Sequence, residues 1–262
     1  MEIVLFRVAL APSMVLLASL VARKLGPGRG GELLGAPTTT GPFLMLLCWT
    51  RGRVAGAEAA HGSVTGQLAV ATFCLVYGRL AARSRPWRAQ LTALAATGTA
   101  GVIGVMILYT WLTAAATLAV VLAGLRTWPA HRSSPRASQT VSGWQIPVRM
   151  LLAGATVLAA AGAARVFGSY TGGMFAALPV LLAVMAPSLH RSAGPQAAAD
   201  LTRGALLSAA GTTCFLLLLA TSLQRLGPLT AFPLALGAML LMGHFVRGTL
   251  VTGAASSRTS TP

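Results

Sequence analysis

Two prolines, three threonines and a glycine occupy residues 37–42, inside an otherwise apolar part of the chain. Proline removes a backbone donor and displaces the carbonyl one turn earlier, so a continuous helix is not expected here. Irregular backbone at membrane depth needs a watery cavity or protein partners, and its carbonyls and hydroxyls could then coordinate a substrate or cation. The alternative is a kinked helix whose threonines bond their own backbone. The substrate-binding residues predicted are Pro37, Thr38, Thr39, Thr40, Gly41, Pro42 and, in the second half, Pro179.

Four titratable residues could couple protons to such a site. Glu58 and Asp200 each precede a glycine by four residues, His61 follows Glu58, and Glu32 lies just before the proline run. A carboxylate facing a cavity inside the membrane can titrate during transport. Helix capping is the alternative for Glu58 and Asp200, because the helix dipole favours an acid in the first turn. Glu32 needs either an interfacial position beside Arg29 or a functional partner.

Other familiar chemistries have no residues to support them. The three cysteines lie singly in apolar segments, so neither a disulfide framework nor a metal site is predicted. The four histidines have no metal-ligand spacing. Nucleotide-binding loops and catalytic triads are absent from the sequence, so we expect no enzyme activity, no cofactor and no ATP-driven pumping.

The composition indicates what kind of scaffold must hold these residues. Of 262 residues, 55% are hydrophobic and 9% charged, and the mean hydropathy is +0.73, values typical of a membrane protein. Twenty basic residues face four acidic ones, but they lie between apolar segments and are predicted to be loop charges. The partners predicted are the lipid bilayer, a small-molecule substrate of unknown identity and a second copy in a homodimer, with no nucleic acid.

Seven segments have about the 20 apolar residues that a membrane span needs. They lie at residues 3–22, 32–50, 61–79, 146–164, 172–189, 204–223 and 228–246. The stretch 89–125 has 37 residues without a charge or a histidine, and one helix of that length would measure about 55 Å. Because a bilayer core is about 30 Å thick, we expect this stretch to turn near residues 108–110. The predicted fold is an all-α polytopic transmembrane helix bundle of about nine spans.

The basic residues orient these spans. With nine spans and the N-terminus outside, fifteen basic residues are cytoplasmic and five are not. A single helix over 89–125 would leave nine inside and eleven outside, against the positive-inside rule. The composition, rich in Arg, Ala and Gly, is typical of a bacterial protein. The predicted location is the bacterial cytoplasmic (inner) membrane, with the C-terminus in the cytoplasm.

The two halves match when the sequence is shifted by 142 residues without a gap. Matched pairs include Gly26 with Gly168, Pro37 with Pro179, Glu58 with Asp200, Gly62 with Gly204 and Arg83 with Arg225. Five spans precede the second copy, so equivalent helices are predicted to cross the membrane in opposite directions. The predicted organisation is a first repeat (1–127), a cytoplasmic linker (128–143), a second repeat of four helices (144–250) and a disordered tail (251–262).

Inverted repeats are typical of secondary transporters, because two pseudo-symmetric halves can expose one midplane site to each side in turn. The predicted function is secondary transport that exports a small metabolite or drug-like compound. Proton coupling would use the titratable residues named above. The alternative is an accessory or assembly membrane protein that transports nothing and holds partners on its helix faces.

The run from Leu25 to Pro42, followed by the region from Phe73 to Tyr77, resembles a pattern found in uncharacterised bacterial multi-pass membrane proteins. The resemblance covers most of both halves and implies no particular activity. The arrangement of two inverted repeats is also similar to that of the drug/metabolite transporter superfamily, although the second half here has four spans instead of five. That likeness is one of architecture.

Overall fold

The computed structural model describes residues 26–107, 109–128 and 145–256. Regular structure in these ranges is helical throughout, in eight helices. They are α1 (Pro27–Gly35), α2 (Thr40–Ala81), α3 (Pro86–Met106), α4 (Thr110–Arg126), α5 (Gln145–Val166), α6 (Ser169–Ala176), α7 (Val180–Leu226) and α8 (Pro228–Ser256). The predicted span at 3–22 and nearly all of the predicted linker lie outside the described residues. The helix α8 continues to Ser256, into the segment predicted as a tail, whose last six residues are also outside.

Four described stretches are long and apolar enough to cross a membrane. They are Pro27–Ala81, Pro86–Met106, Ser169–Leu226 and Pro228–Gly248. Two shorter apolar helices, Thr110–Arg126 and Gly154–Val166, accompany them. The predicted all-helical class is confirmed. The described residues supply six apolar helical stretches, so the count of nine spans stays a prediction.

The charge-free stretch 89–125 is interrupted where a turn is predicted. The helix α3 ends at Met106, and α4 begins at Thr110. Between them Ile107 and Tyr109 have extended backbone, with ψ of 109° and 120°. Each resulting helix is about the length that a bilayer core can hold.

Two glycines bend the longest helices. Gly52 in α2 and Gly194 in α7 both have a φ of +88°, a conformation that glycine adopts without steric cost. We call the parts α2a (40–51) and α2b (53–81), and likewise α7a (180–193) and α7b (195–226). Gly52 and Gly194 are 142 residues apart, as are Gly26 and Gly168, which precede α1 and α6 with φ of +88° and +92°.

The segments α2b and α7b form the centre of the fold and run antiparallel. Val64, near the start of α2b, shares an apolar cluster with Phe215 and Leu219, near the end of α7b. Tyr77, near the end of α2b, shares a second cluster with Leu201, near the start of α7b. Both clusters are composed mainly of buried alanine, leucine and phenylalanine side chains.

Each short helix crosses the long segment of the other half at glycines. The helix α1 lies against α7b, and α6 lies against α2b, so closely that a methyl group at either side would overlap a backbone carbonyl. The four contacts are Gly31 with Leu201, Gly173 with Ala59, Gly62 with Tyr170 and Gly204 with Gly28. Small residues allow such close approach of helices in membranes. The contact of Gly31 with Leu201 matches that of Gly173 with Ala59 when residue numbers are shifted by 142. The other two contacts match each other in the same way.

These crossings predict how substitutions at glycine affect stability. Gly31→Ala and Gly173→Ala should each lower the unfolding temperature in detergent, because the added methyl group forces a backbone to move and overpacking costs about 1–3 kcal/mol. That cost corresponds to a fall of roughly 2–12 °C for a chain of this size. Gly98→Ala is the matched control, since nothing lies within 4 Å of a methyl group there. Equal unfolding temperatures for Gly31→Ala and Gly98→Ala would contradict the prediction.

Candidate functional site

The predicted break in the first half is present and is shorter than the proline run. Residues 36–39 are non-helical, and α2 begins at Thr40. The Thr38 N–H donates to the Ala36 carbonyl over 2.7 Å, and the Gly41 N–H donates to the Pro37 carbonyl over 2.8 Å. Pro42 therefore lies in the first turn of α2, where its missing N–H is tolerated.

The second half has a break at the matching position. The helix α6 ends at Ala176, and α7 begins at Val180. The Ala177 N–H donates to the Gly173 carbonyl over 3.2 Å, which closes the last turn of α6. Pro179 precedes α7 with a φ of −77° and a ψ of 45°. Each half therefore contains a short helix, a break of three or four residues and a second helix.

Hydroxyl groups from one half bind carbonyls at the break of the other half. Thr39 and Thr40 donate to the Ala176 carbonyl over 3.4 and 3.2 Å. Thr212 donates to the Gly35 carbonyl over 2.8 Å. The last carbonyls of a helix have no partner within that helix, and inside a membrane an unpaired carbonyl is costly. The two halves therefore satisfy each other at the ends of α1 and α6.

A cavity of about 30 Å³ lies where the two breaks meet, which is room for one water molecule or two. The residues around it come from α1, α2, α5, α6, α7 and both breaks. They are Leu34, Gly35, Ala36, Thr39, Thr40, Gln67, Val70, Thr156, Ala176, Ala177, Leu178, Pro179, Val180, Leu181 and Leu182. Of the predicted site residues, Thr39, Thr40 and Pro179 line the cavity. Pro37, Thr38, Gly41 and Pro42 lie outside its lining.

Gln67 is the polar side chain of the cavity that lacks a partner. It is 4% exposed, and its Oε1 accepts no hydrogen bond from the described residues. A buried amide without partners is costly, and a native one calls for an explanation. A ligand or water in the cavity supplies such an explanation. The structure thus adds Gln67 to the candidate site.

The cavity is polar but carries no charged side chain in its lining. The carbonyl ends of α1 and α6 and the amide ends of α2 and α7 meet around it. Each helix end carries roughly half a unit charge, negative at the carbonyl end and positive at the amide end. Two ends of each sign leave a site that can accept and donate hydrogen bonds with little net charge.

The residues proposed for proton coupling lie apart from the cavity lining. The Glu32 carboxylate accepts a hydrogen bond from Arg247, so Arg247 of α8 is the partner that the sequence could not name. His61 is half-buried and its Nδ1 shares a hydrogen bond of 2.8 Å with the Thr110 hydroxyl. Glu58 is exposed and Asp200 half-buried. Both acids are six residues beyond a glycine bend, past the first turn in which the helix dipole acts.

A buried pair that the sequence pattern did not bring together is Tyr77 with His190. The tyrosine hydroxyl lies 3.3 Å from Nδ1 of the imidazole, and both side chains are buried. The rings meet edge to face with centroids 6.1 Å apart. The two residues are 113 positions apart in the sequence, so no local spacing relates them. One sequence feature could have identified the pair. Tyr77 and His190 are titratable residues in apolar segments, and the residues that match them at the shift of 142, Leu219 and Cys48, are apolar or weakly polar.

Comparison with models of protein families, with curated protein sequences and with solved structures finds no match to this chain.

Proposed function

We propose that this chain is a secondary transporter whose substrate site is the cavity between the two helix breaks. The observation that carries the proposal is the buried amide oxygen of Gln67, which has no hydrogen-bond partner among the described residues and faces a polar cavity that both halves line. Discontinuous helices that meet near the centre of a bundle are the usual substrate sites of secondary transporters. Export of the substrate is part of the proposal.

The proposed architecture is a pair of inverted repeats. The four glycine crossings support it, because each contact between α1 and α7b has a counterpart between α6 and α2b at a shift of 142 residues. The antiparallel course of α2b and α7b supports opposite orientations of the two copies. Counting α1 with α2a and α6 with α7a as broken spans, and adding residues 3–22, the number of membrane crossings is nine.

The charges at the two ends of the bundle support a cytoplasmic C-terminus. Arg51, Arg53, Arg165 and Arg225 belong to the end where α7 finishes. The opposite end has the larger basic set among the described residues. It contains Arg29, Arg79, Arg83, Arg85, Arg88, Arg126, Arg191, Arg203 and Arg247. The positive-inside rule assigns this second end, which we call the basic end, to the cytoplasm.

The substrate proposed is small and uncharged. A charged ligand needs a counter-charge when it is buried, and the cavity lining supplies none. Hydroxyl, amide and backbone groups around Gln67 instead suit a solute that both donates and accepts hydrogen bonds. The present volume holds only water, so the bundle must open to admit such a solute.

Alternating access predicts that a thiol in the cavity reacts from both sides of the membrane. In a background with Cys48, Cys74 and Cys214 replaced, Thr40→Cys should be labelled by an impermeant maleimide in right-side-out and in inverted vesicles. Thr117→Cys is the matched control, because Thr117 is an equally buried threonine that bonds its own helix over 2.8 Å. Labelling of Thr40→Cys from neither side would contradict transport and favour an accessory role.

If a ligand binds at Gln67, substitution of Gln67 should abolish stabilisation by that ligand, whereas substitution of Gln90 should not. Gln67 and Gln90 both have an unpartnered Oε1, but only Gln67 lines the cavity. Acetamide or glycerol at roughly 100-fold above its dissociation constant should stabilise the wild type and Gln90→Leu by about 2.7 kcal/mol and leave Gln67→Leu unchanged. Thermal unfolding in detergent measures this effect. Equal stabilisation of Gln67→Leu, or stabilisation by acetate or methylammonium instead, would contradict the uncharged substrate.

A further inference from the structure

The Tyr77–His190 pair lies between the cavity and the basic end. Val70 lines the cavity, and Tyr77 follows it by seven residues on α2b; Leu182 lines the cavity, and His190 follows it by eight on α7a. At 1.5 Å per residue the pair is about 10–12 Å from the cavity along both helices. Phe73 stacks on Tyr77 at a centroid distance of 5.7 Å and fills the interval.

The positions equivalent to this pair on the opposite side of the cavity carry no histidine. The 142-shifted counterparts of Phe73, Tyr77 and His190 are Phe215, Leu219 and Cys48. These three are buried together in one apolar cluster. The equivalent positions therefore differ in chemistry, with a buried imidazole toward the basic end and apolar side chains toward the other end. His61, which lies toward that other end, is only half-buried and shares a hydrogen bond with Thr110.

The surroundings of His190 offer little to stabilise a charge. It is 8% exposed, and its one hydrogen-bond partner among the described residues is Tyr77. The side chains of the neighbouring helices that pack on this cluster are Ala89 and Ala93 of α3, Val121 and Leu125 of α4, and Val246 of α8. The charged residues next to them in sequence are exposed arginines, Arg88, Arg126 and Arg247, of which Arg247 pairs with Glu32. The charged group nearest to His190 in sequence is Arg191, which is exposed and acts electrostatically on Tyr77.

We propose that His190 is the proton-binding group of this transporter and that Tyr77 is its positioning partner. The inference rests on the proposed function, since it assigns the proton coupling of the same cavity. A proton from the cytoplasm adds to the neutral imidazole and gives an imidazolium, and Tyr77 keeps its own proton. Both imidazolium nitrogens are then donors, so Nδ1 can no longer accept from the tyrosine hydroxyl.

Protonation of His190 opens the closure at the basic end for an electrostatic reason. A buried imidazolium without a counter-charge is strongly disfavoured, whereas water entering between α2b and α7a solvates it. The proton therefore binds the open, hydrated state in preference to the closed one and shifts the population toward it. Loss of the proton restores the neutral pair and the closed state. The cavity is then exposed to the cytoplasm at low pH and sealed from it at high pH.

The test uses the accessibility of Thr40→Cys from the cytoplasmic side, in the Cys-depleted full chain in inverted vesicles. The rate of maleimide labelling is divided by that of Ala82→Cys, an exposed position just after α2, because a thiol itself reacts more slowly at low pH. This ratio should rise about tenfold from about pH 8 to about pH 5.5, the interval in which histidine titrates. In right-side-out vesicles a similarly exposed reference, Arg225→Cys, should give a ratio that falls over the same interval.

Variants separate the proton site from general loosening of the fold. His190→Gln should abolish the pH dependence, whereas His61→Gln should retain it. Tyr77→Phe keeps the ring but removes the hydroxyl, so its ratio at about pH 8 should exceed that of the wild type. Unfolding temperatures of the purified variants verify that each one is folded.

The outcomes distinguish the inference from the proposed function. If Thr40→Cys is labelled from both sides but the ratio is independent of pH, or if His190→Gln keeps the pH dependence, the proton site is wrong and transport stands. If Thr40→Cys is labelled from neither side at any pH, the proposed transport fails, and the inference fails with it.

Discussion

Backbone meets backbone where α1 crosses α7b and where α6 crosses α2b, because glycine leaves no side chain between the two helices. These crossings fix the depth at which each short helix ends. They bring the carbonyl end of α1 to Thr212 and the carbonyl end of α6 to Thr39 and Thr40. The cavity lies where the carbonyl ends of α1 and α6 meet. The polar centre therefore depends on glycine at the four crossing positions, where a methyl group would overlap a backbone carbonyl.

Satisfying the backbone uses most of the polar groups at this centre. The threonine hydroxyls are engaged by carbonyls, and among the described side chains that line the cavity the amide oxygen of Gln67 is the buried group without a hydrogen-bond partner. The site consequently differs from one designed around a buried charge, in which a carboxylate or guanidinium dominates recognition. No basic side chain of the described residues lines the cavity. The chemistry of the interior is that of neutral hydrogen-bonding groups.

The sequence predicted the parts of the fold that follow from covalent constraints. Pro37 and Pro42 indicate a break in the first half, and the length of the stretch 89–125 requires a turn near residues 108–110. The sequence did not predict the matching break before Val180, because it indicates one span over residues 172–189. It did not predict that α2 would continue through residues 51–60 with only a bend, because a glycine with positive φ allows a helix to change direction without a loop. Lengths and compositions define segments along the chain, but they do not say how segments meet in space.

The site was predicted only in part for the same reason. Thr39 and Thr40 were identified because they belong to the run between Pro37 and Pro42, in which the chain breaks its helix. Gln67 reaches the cavity through the packing of α2b, and His190 meets Tyr77 across 113 residues. Arg247 meets Glu32 across 215 residues, a separation that no local pattern spans. Gly41 and Pro42 share the composition of the break but lie in α2, which begins at Thr40. Pro37 and Thr38 lie in the break but outside the cavity lining.

The reciprocal bonding of the breaks has a consequence for biosynthesis. The Gly35 carbonyl finds its donor 177 residues later, and the Thr40 hydroxyl finds its acceptor 136 residues later. A ribosome delivers the first half to the membrane well before these partners exist. Until then the end of α1 must remain hydrated or be shielded by another protein, because lipid cannot solvate a free carbonyl. The first half therefore reaches its final form only when the second half has been inserted, and truncated chains are expected to be substrates for membrane quality control.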